Sequence, residues 1–211
     1  MRYFSNILSP VILLSVATTL SAGVIVSNGP TTASSYRIGG PNSQVEAVFW
    51  FQSALTGASI TALIGSVDGS SRTVDVYLEQ TFPGYVIQST TVTVGAFASS
   101  ADFTPTLIFS GLSLASGGYR LTLFNTDTTG TVNVRWAVGG ATTNTAYGFF
   151  VASVYSNGPD TNVANPYLSN FTTSTEPLGF TVDGTSPVPE PGTFLTSLVI
   201  FGAVGLLRRR A

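Results

Sequence analysis

From Gly23 to about Gly184 the apolar residues recur at every second position, and no stretch sustains a 3.6-residue period. In RTVDVYLEQ, Val74, Val76 and Leu78 alternate with Asp75, Tyr77 and Glu79; in TVNVRWAV, Val132, Val134 and Trp136 alternate with Asn133 and Arg135. In YRLTLFN, Leu121 and Leu123 take one face, and Arg120, Thr122 and Phe124 the other. Successive side chains of an extended strand point to opposite faces, so this pattern gathers an apolar face only as a strand. VEAVFWFQ, ASITALIGSV, VIQSTTVTV, TLIFSGLSL, GFFVASVY and a late LGFTVDG extend the series. Turn residues punctuate it at Asp68-Gly69-Ser70, Pro83-Gly84, Ser116-Gly117-Gly118, Asp127 to Gly130, Gly139-Gly140 and Asn157-Gly158-Pro159. Short strands at this spacing predict an all-β domain over residues 23–184, an antiparallel β-sandwich or jelly roll. Residues 72–94 read as a hairpin looping at Thr81 to Gly84, and residues 119–138 as a second, turning at Asp127-Thr128-Thr129-Gly130. Ser156 to Glu176, rich in Asn, Pro, Ser and Thr, reads as a long loop.

Composition narrows the chemistry. Charged residues are 9% of the 211-residue chain and aromatics 11%, a profile that suits a packed domain with a hydroxyl-rich surface rather than disorder. There is no His and no Cys, which excludes disulfides, thiolate nucleophiles, imidazole-dependent triads and zinc sites built on those ligands. Between the tails the only bases are Arg37, Arg72, Arg120 and Arg135, against nine acids from Glu46 to Asp183. Four scattered arginines build no basic patch, so nucleic-acid binding is set aside. No cofactor and no metal are expected.

The two ends read as targeting segments. Arg2 followed by the apolar run Ile7 to Ala17 and by small residues fits a secretory signal peptide over residues 1–22, cleaved after Ala22, with Ala17 a second candidate. At the other end, Thr193 to Leu207 is an uncharged run of 15 residues, about 22 Å long as a helix and thus a short membrane span. Arg208, Arg209 and Arg210 follow it and would stay on the cytoplasmic side as a stop-transfer lock. Pro189-Glu190-Pro191 precedes it, held extended by its two prolines and presented outside the membrane.

The layout of Val188-Pro189-Glu190-Pro191, an apolar run from Phe194 to Leu207 and a terminal arginine cluster resembles the PEP-CTERM sorting signal of Gram-negative bacteria. The likeness covers residues 185–211 when the linker from the domain is included. It implies handling by an exosortase, a membrane cysteine protease or transpeptidase, near Pro189-Glu190-Pro191. It also implies transient residence in the inner membrane and delivery to the cell surface, in company with exopolysaccharide and biofilm or floc matrix. The run of a strand pair, LIFSGLSLASGGYRLTLFN and LGFTVDG looks like the β-sandwich ectodomains such proteins carry, choice-of-anchor domains among them. That second resemblance implies a carbohydrate-binding-like sandwich and assigns no binding residue.

Within the domain, Trp50, Trp136 and Tyr77 are the candidate glycan contacts, because an aromatic face suits the apolar face of a sugar. Both tryptophans are more simply core residues; Tyr77, Tyr85, Tyr147 and Tyr155 are placed at the surface by phase or loop position. Asp160 and Asn162, near Asn157, offer oxygen ligands for calcium, although a solvated turn accounts for them. Asp68 with Asp75, or Asp75 with Glu79, has the composition of a glycosidase acid pair; the spacing of Asp75 and Glu79 instead suggests a solubilising strand edge. The expectation is an exported, non-catalytic surface protein with a structural or adhesive role. A glycan-binding module, with or without calcium, is the alternative, and a carboxylate-only hydrolase the third reading.

Overall fold

The computed structural model describes residues 22–38, 44–81, 84–125, 133–156, 171–174 and 176–186. The period of two is realised as two antiparallel sheets packed face to face. One sheet has the order β11-β1-β8-β3-β6, built from β11 (Phe180–Thr185), β1 (Gly23–Ile38), β8 (Val134–Asn144), β3 (Leu55–Ser66) and β6 (Pro105–Leu114). The other has the order β10-β9-β2-β7-β4-β5, from β10 (Phe171–Ser174), β9 (Gly148–Ser156), β2 (Gln44–Phe51), β7 (Gly117–Phe124), β4 (Arg72–Gln80) and β5 (Tyr85–Val94). Among the described residues the only helical element is a three-residue 3-10 turn at Ser100–Asp102.

One core fills the space between the sheets. Val45, Ala47, Phe49 and Phe51 of β2 meet Leu121 and Leu123 of β7 and Val74, Val76 and Leu78 of β4; from the opposite sheet come Ile60, Ile64, Trp136, Phe180 and Val182. The Phe49 and Phe180 rings, 5.3 Å apart, close the gap between β2 and β11. Alternating positions thus do what the sequence pattern requires. The hairpin at 72–94 forms as expected, β4 pairing with β5 from Arg72↔Val94 to Gln80↔Tyr85.

The second expected hairpin does not form. β7 is flanked on both sides, by β2 and by β4, so it has no free hydrogen-bonding edge to offer β8. Instead β8 crosses to the other sheet and pairs with β1 and β3. Turn residues at 127–130 signal a reversal of direction, but not which edge the next strand will find. The stretch read as a long loop also contains β10, a four-residue edge strand on β9. β1 is absent from the strands read in the sequence because Asn28-Gly29-Pro30 breaks its pattern. Its register against β8 shifts there, from Asn28↔Thr142 to Pro30↔Gly139 to Ser35↔Ala137.

That irregularity makes room for the last strand. The first three residues of β8 lie against β3 (Ile64↔Trp136, Ser66↔Val134), while β11 occupies the same flank of β3 lower down (Phe180↔Ala62, Val182↔Ile60). β11 is therefore slotted between β1 and β3 where β8 has left β3. Residues 177–179 fill the fork. The Pro177 carbonyl accepts from the Gly139 N–H at 2.6 Å, and the Gly179 N–H donates to Ala137 at 2.8 Å. The Gly179 carbonyl accepts both the Leu63 N–H at 2.9 Å and the Trp136 indole N–H at 2.9 Å. The Asn28 side-chain amide donates to the Leu178 carbonyl at 3.0 Å, and the Leu178 side chain is fully buried. Gly139 is required by this crowding. A Cβ there would lie 2.7 Å from Asn28 Cβ and 3.1 Å from the Leu178 carbonyl oxygen.

Gly139→Ala should therefore lower unfolding free energy by about 1–3 kcal/mol, as overpacking against fixed backbone does. Gly29→Ala, where a Cβ meets nothing within 4 Å, should change it by no more than about 0.5 kcal/mol. Urea titrations of the two variants check the pair.

Candidate functional site

The most unusual chemistry lies on the outer face of the six-stranded sheet, the face turned away from the core. There β2, β7 and β4 present Glu46, Arg120 and Glu79 from three adjacent strands. Glu79 lies directly opposite Arg120 in register, and Glu46 opposite Thr122. The Arg120 Nε donates to Glu79 Oε2 at 2.7 Å and lies 3.7 Å from Glu46 Oε2. All three side chains are buried. Gln44 donates to Glu46 at 3.4 Å and the Thr122 hydroxyl to Glu79 at 3.5 Å. One guanidinium between two carboxylates gives a cluster with a formal charge of −1.

This arrangement corrects one sequence expectation. Arg120, Thr122 and Phe124 share the face opposite Leu121 and Leu123 as expected, and that face is buried. Glu79 is not part of a solubilising edge. β4 is an interior strand, and the true edge is β5, whose Ser89, Thr91 and Thr93 face water. Asp75 remains half-buried and accepts a hydrogen bond from Thr91 at 2.7 Å. Burial of the Tyr77 ring, and then the nearby Asp75 carboxylate, push the Tyr77 phenol upward, so it stays protonated at neutral pH.

The candidate glycan contacts separate. Trp136 is a core residue, fully buried, with its indole N–H consumed at the fork. Trp50, expected in the core, is 43% exposed on the outer face. Its ring lies over Gly118, where a Cβ would come within 3.0 Å of Cε3 and Cζ3 and would also collide with Thr81 Oγ1. Glycine on β7 thus lets the indole lie down along the sheet. Tyr77 shares this outer face but pairs with Thr122, two positions along β7 from Arg120, which is itself two from Gly118. The buried ion cluster stands between Trp50 and Tyr77, so the three aromatics do not make one platform. Tyr85 is exposed and donates to Gln80 at 2.7 Å, and Tyr147 is half-buried. A small cavity of about 120 Å³ beside the fork, lined by Asn28, Ala62, Leu63, Phe103 and Phe180, is well below the volume a sugar-sized ligand needs.

Asp68 is a corner brace. It accepts from the Ser66 hydroxyl at 2.6 Å, the Ser70 N–H at 3.1 Å, Arg72 Nε at 2.9 Å and the Asn133 N–H at 3.3 Å. These donors join the end of β3, the start of β4 and the approach to β8, and so tie the two sheets together. The Ser66 hydroxyl first, then the two backbone N–H groups and Arg72, hold the carboxyl well below the usual range against the opposing effect of burial. Asp68 and Asp75 are thus occupied separately. Among the described residues no group of three or more acids is placed to hold a metal ion.

Ala22 is the first described residue and is exposed. Pro189, Glu190, Pro191, Arg208, Arg209 and Arg210, the apolar run before those arginines, and the Asn157, Asp160 and Asn162 group lie outside the described residues. Among the described residues no helix is long and apolar enough to cross a membrane. No family model matches the chain, and no curated protein matches it.

Two outcomes follow from the charged groups. Arg120→Met should cost about 3–5 kcal/mol by stranding buried carboxylates, and adding Glu46→Gln and Glu79→Gln should recover most of that loss; denaturant midpoints of both variants decide it. Asp68 binds its proton less readily folded than unfolded. Its contribution is therefore present above about pH 4 and lost as pH falls toward the lower folded value. The stability gap between the parent and Asp68→Asn should accordingly narrow between about pH 5 and pH 2, as read from urea midpoints across that range.

Proposed function

We propose that the chain is an exported β-sandwich, sorted by an exosortase-type membrane enzyme to the cell surface or extracellular matrix, where it has a structural or adhesive role without catalysis. The observation that supports this reading is that the first and last described strands meet. Gly23, the first residue after the expected cleavage at Ala22, pairs with Gly184 at the end of β11. Ser186 is bonded to Ser53 at 2.8 Å, and only two residues then separate it from Pro189. The two ends of the described domain thus lie side by side, the C-terminal one close in sequence to the expected tag. Such a body can fold outside while a segment on either side of it is still held in the membrane. The Pro-Glu-Pro tag would then stand just outside the bilayer, within reach of a membrane-bound processing enzyme.

The acids that suggested hydrolysis support the same reading. Asp68 ties strands at a corner, Asp75 holds Thr91 of β5, and Glu79 neutralises Arg120. Each carboxylate is engaged in holding the sandwich together. An adhesive or matrix-forming role asks only for a rigid body and a surface of hydroxyl and amide groups, which β5 and the exposed end of β8 provide through Ser89, Thr91, Thr142, Thr143 and Asn144.

The intact mass of protein recovered from the cell surface tests the proposal. Expected is a chain that begins at Gly23 and has lost or exchanged everything beyond the Pro189-Glu190-Pro191 region. A surface chain still ending in Arg208-Arg209-Arg210-Ala211 would overturn the processing and leave a plain C-terminal anchor.

A further inference from the structure

The turns of the sandwich fall at two poles, and the poles differ in chemistry. The pole from which both tails leave carries the turns at residues 52–54, 115–116 and 145–147, together with Thr81 and Gly84. Its closeness to the tails is direct. Ser186 bonds to Ser53, the Thr145 hydroxyl donates to the Ile25 carbonyl at 2.7 Å, and a Cβ on Gly148 would sit 2.8 Å from Ile25 Cγ2. Among the described residues of these turns and of the two chain ends, 22–24 and 184–186, there is no Asp, Glu, Lys or Arg. The nearest charges are a half-buried Asp183 and the buried Glu79–Arg120 pair. At the opposite pole lie Arg37, Asp68, Arg72, Asp102 and Arg135.

Exposed apolar groups are distributed the other way. Of the six large hydrophobic side chains left exposed among the described residues, Val24, Trp50, Tyr85 and Val86 belong to strand ends next to the tail pole; Val151, in the middle of β9, and Leu107, near the start of β6, do not. Val24 is the second residue of β1, Trp50 the last but one of β2, and Tyr85 and Val86 the first two of β5. They come from both sheets and so flank the pole on more than one side. Trp50 is pre-ordered against Gly118 with its outer face open.

We infer that this pole rests on the lipid bilayer, with Trp50 and Tyr85 at the headgroup level, for as long as the C-terminal segment is membrane-held. The inference depends on the proposed membrane insertion of that segment. The leash is short: from Ser186 to Thr193 is seven residues, a reach of at most roughly 25 Å even fully extended. Part of that reach is taken up by the headgroup layer, about 5–7 Å thick on each side of the hydrocarbon. A body tied so closely meets the membrane with whichever surface surrounds the tie. Here that surface has no exposed acid or base at its turns and carries Trp and Tyr, the residues that bilayer interfaces accept best. Contact would also hold Pro189-Glu190-Pro191 against the membrane surface.

Tryptophan fluorescence of the full chain in phosphatidylethanolamine–phosphatidylglycerol vesicles tests this, with and without brominated acyl chains. Trp136 is buried and Trp50 is not, so the parent and Trp50→Phe separate the two signals. Expected is flotation with the vesicles, loss of part of the parent's emission to the brominated lipid, and absence of that loss in Trp50→Phe. Flotation with Trp50 unquenched by bromine and open to acrylamide would overturn the contact while leaving the anchor intact. Flotation with Trp50 shielded from acrylamide yet unquenched by bromine would also overturn it, and would point to a second copy of the chain as the cover. Failure to float would remove the anchor and the contact together.

Discussion

The slot occupied by β11 governs the rest of the molecule. β11 takes no free sheet edge but lies inside, bonded to β1 on one flank and β3 on the other. It can do so because β8 leaves β3 after Trp136, and Pro177-Leu178-Gly179 takes up the backbone groups exposed at the divergence. Buried peptide groups without partners are costly, so the fork survives only because the Gly139, Leu63 and Gly179 N–H groups, the Trp136 indole and the Asn28 amide all find carbonyls there. The local contest is between space and satisfaction. Glycine at 139 and 179 gives the closeness, and the carbonyls give the reward. The consequence is global: the last strand is locked in, and its end emerges beside the start of the first.

The ion cluster on the outer face follows a different logic. Burying Arg120, Glu46 and Glu79 carries a desolvation penalty that their mutual attraction only partly offsets, so the cluster adds less to stability than its geometry suggests. What it does add is register. Arg120 can meet Glu79 only when β7 and β4 are aligned as they are. A slip of one residue would turn the guanidinium to the hydrophobic core. In a six-stranded sheet whose edge strand β5 is almost entirely Ser, Thr, Val and Ile, side-chain polarity elsewhere says little about alignment. The charged centre supplies what the edge lacks.

Much of this was legible from the sequence, in a characteristic order. Strand patterning identified β2 to β9 and β11, leaving out β1 and β10, because alternation is a property of the strand itself. The hairpin of β4 and β5 was legible because its partners are adjacent in the chain. Misreadings arose wherever the answer depended on distant partners. The turn at 127–130 could not announce that β2 and β4 had already filled both flanks of β7. Glu79 looked solvent-facing because alternation separates two faces without saying whether the second is covered. Trp50 looked like core because VFWF is apolar throughout; its exposure depends on Gly118 across the strand pair, a relation with no trace in the local sequence. One clue to the ion cluster was available. In a chain with so few charges, a Glu and an Arg set among Val, Leu and Tyr in interior strands are poorly explained by solubility alone.

The same scarcity of charge bears on the two poles. A chain with 9% charged residues leaves large neutral areas by default, so an uncharged pole is weak information by itself. The apolar side chains are stronger information, because four of the six exposed ones among the described residues gather at strand ends next to one pole. Folding gives no reason for this: Val24 and Trp50 stand outside the core, and hydroxyl residues would serve as well at those strand ends. What the pole has that the rest of the surface lacks is the exit of both tails, fixed there by the pairing of Gly23 with Gly184. A surface obliged by a short tether to lie close to lipid gains from presenting indole, phenol and Val, and it would lose hydration energy by presenting Arg and Asp there. The braces that need charge, Asp68 with Arg72 foremost, lie at the opposite pole. On the proposed membrane attachment, one topological fact, the shared exit of two tails, would account for both the gathering of apolar groups and the removal of charge.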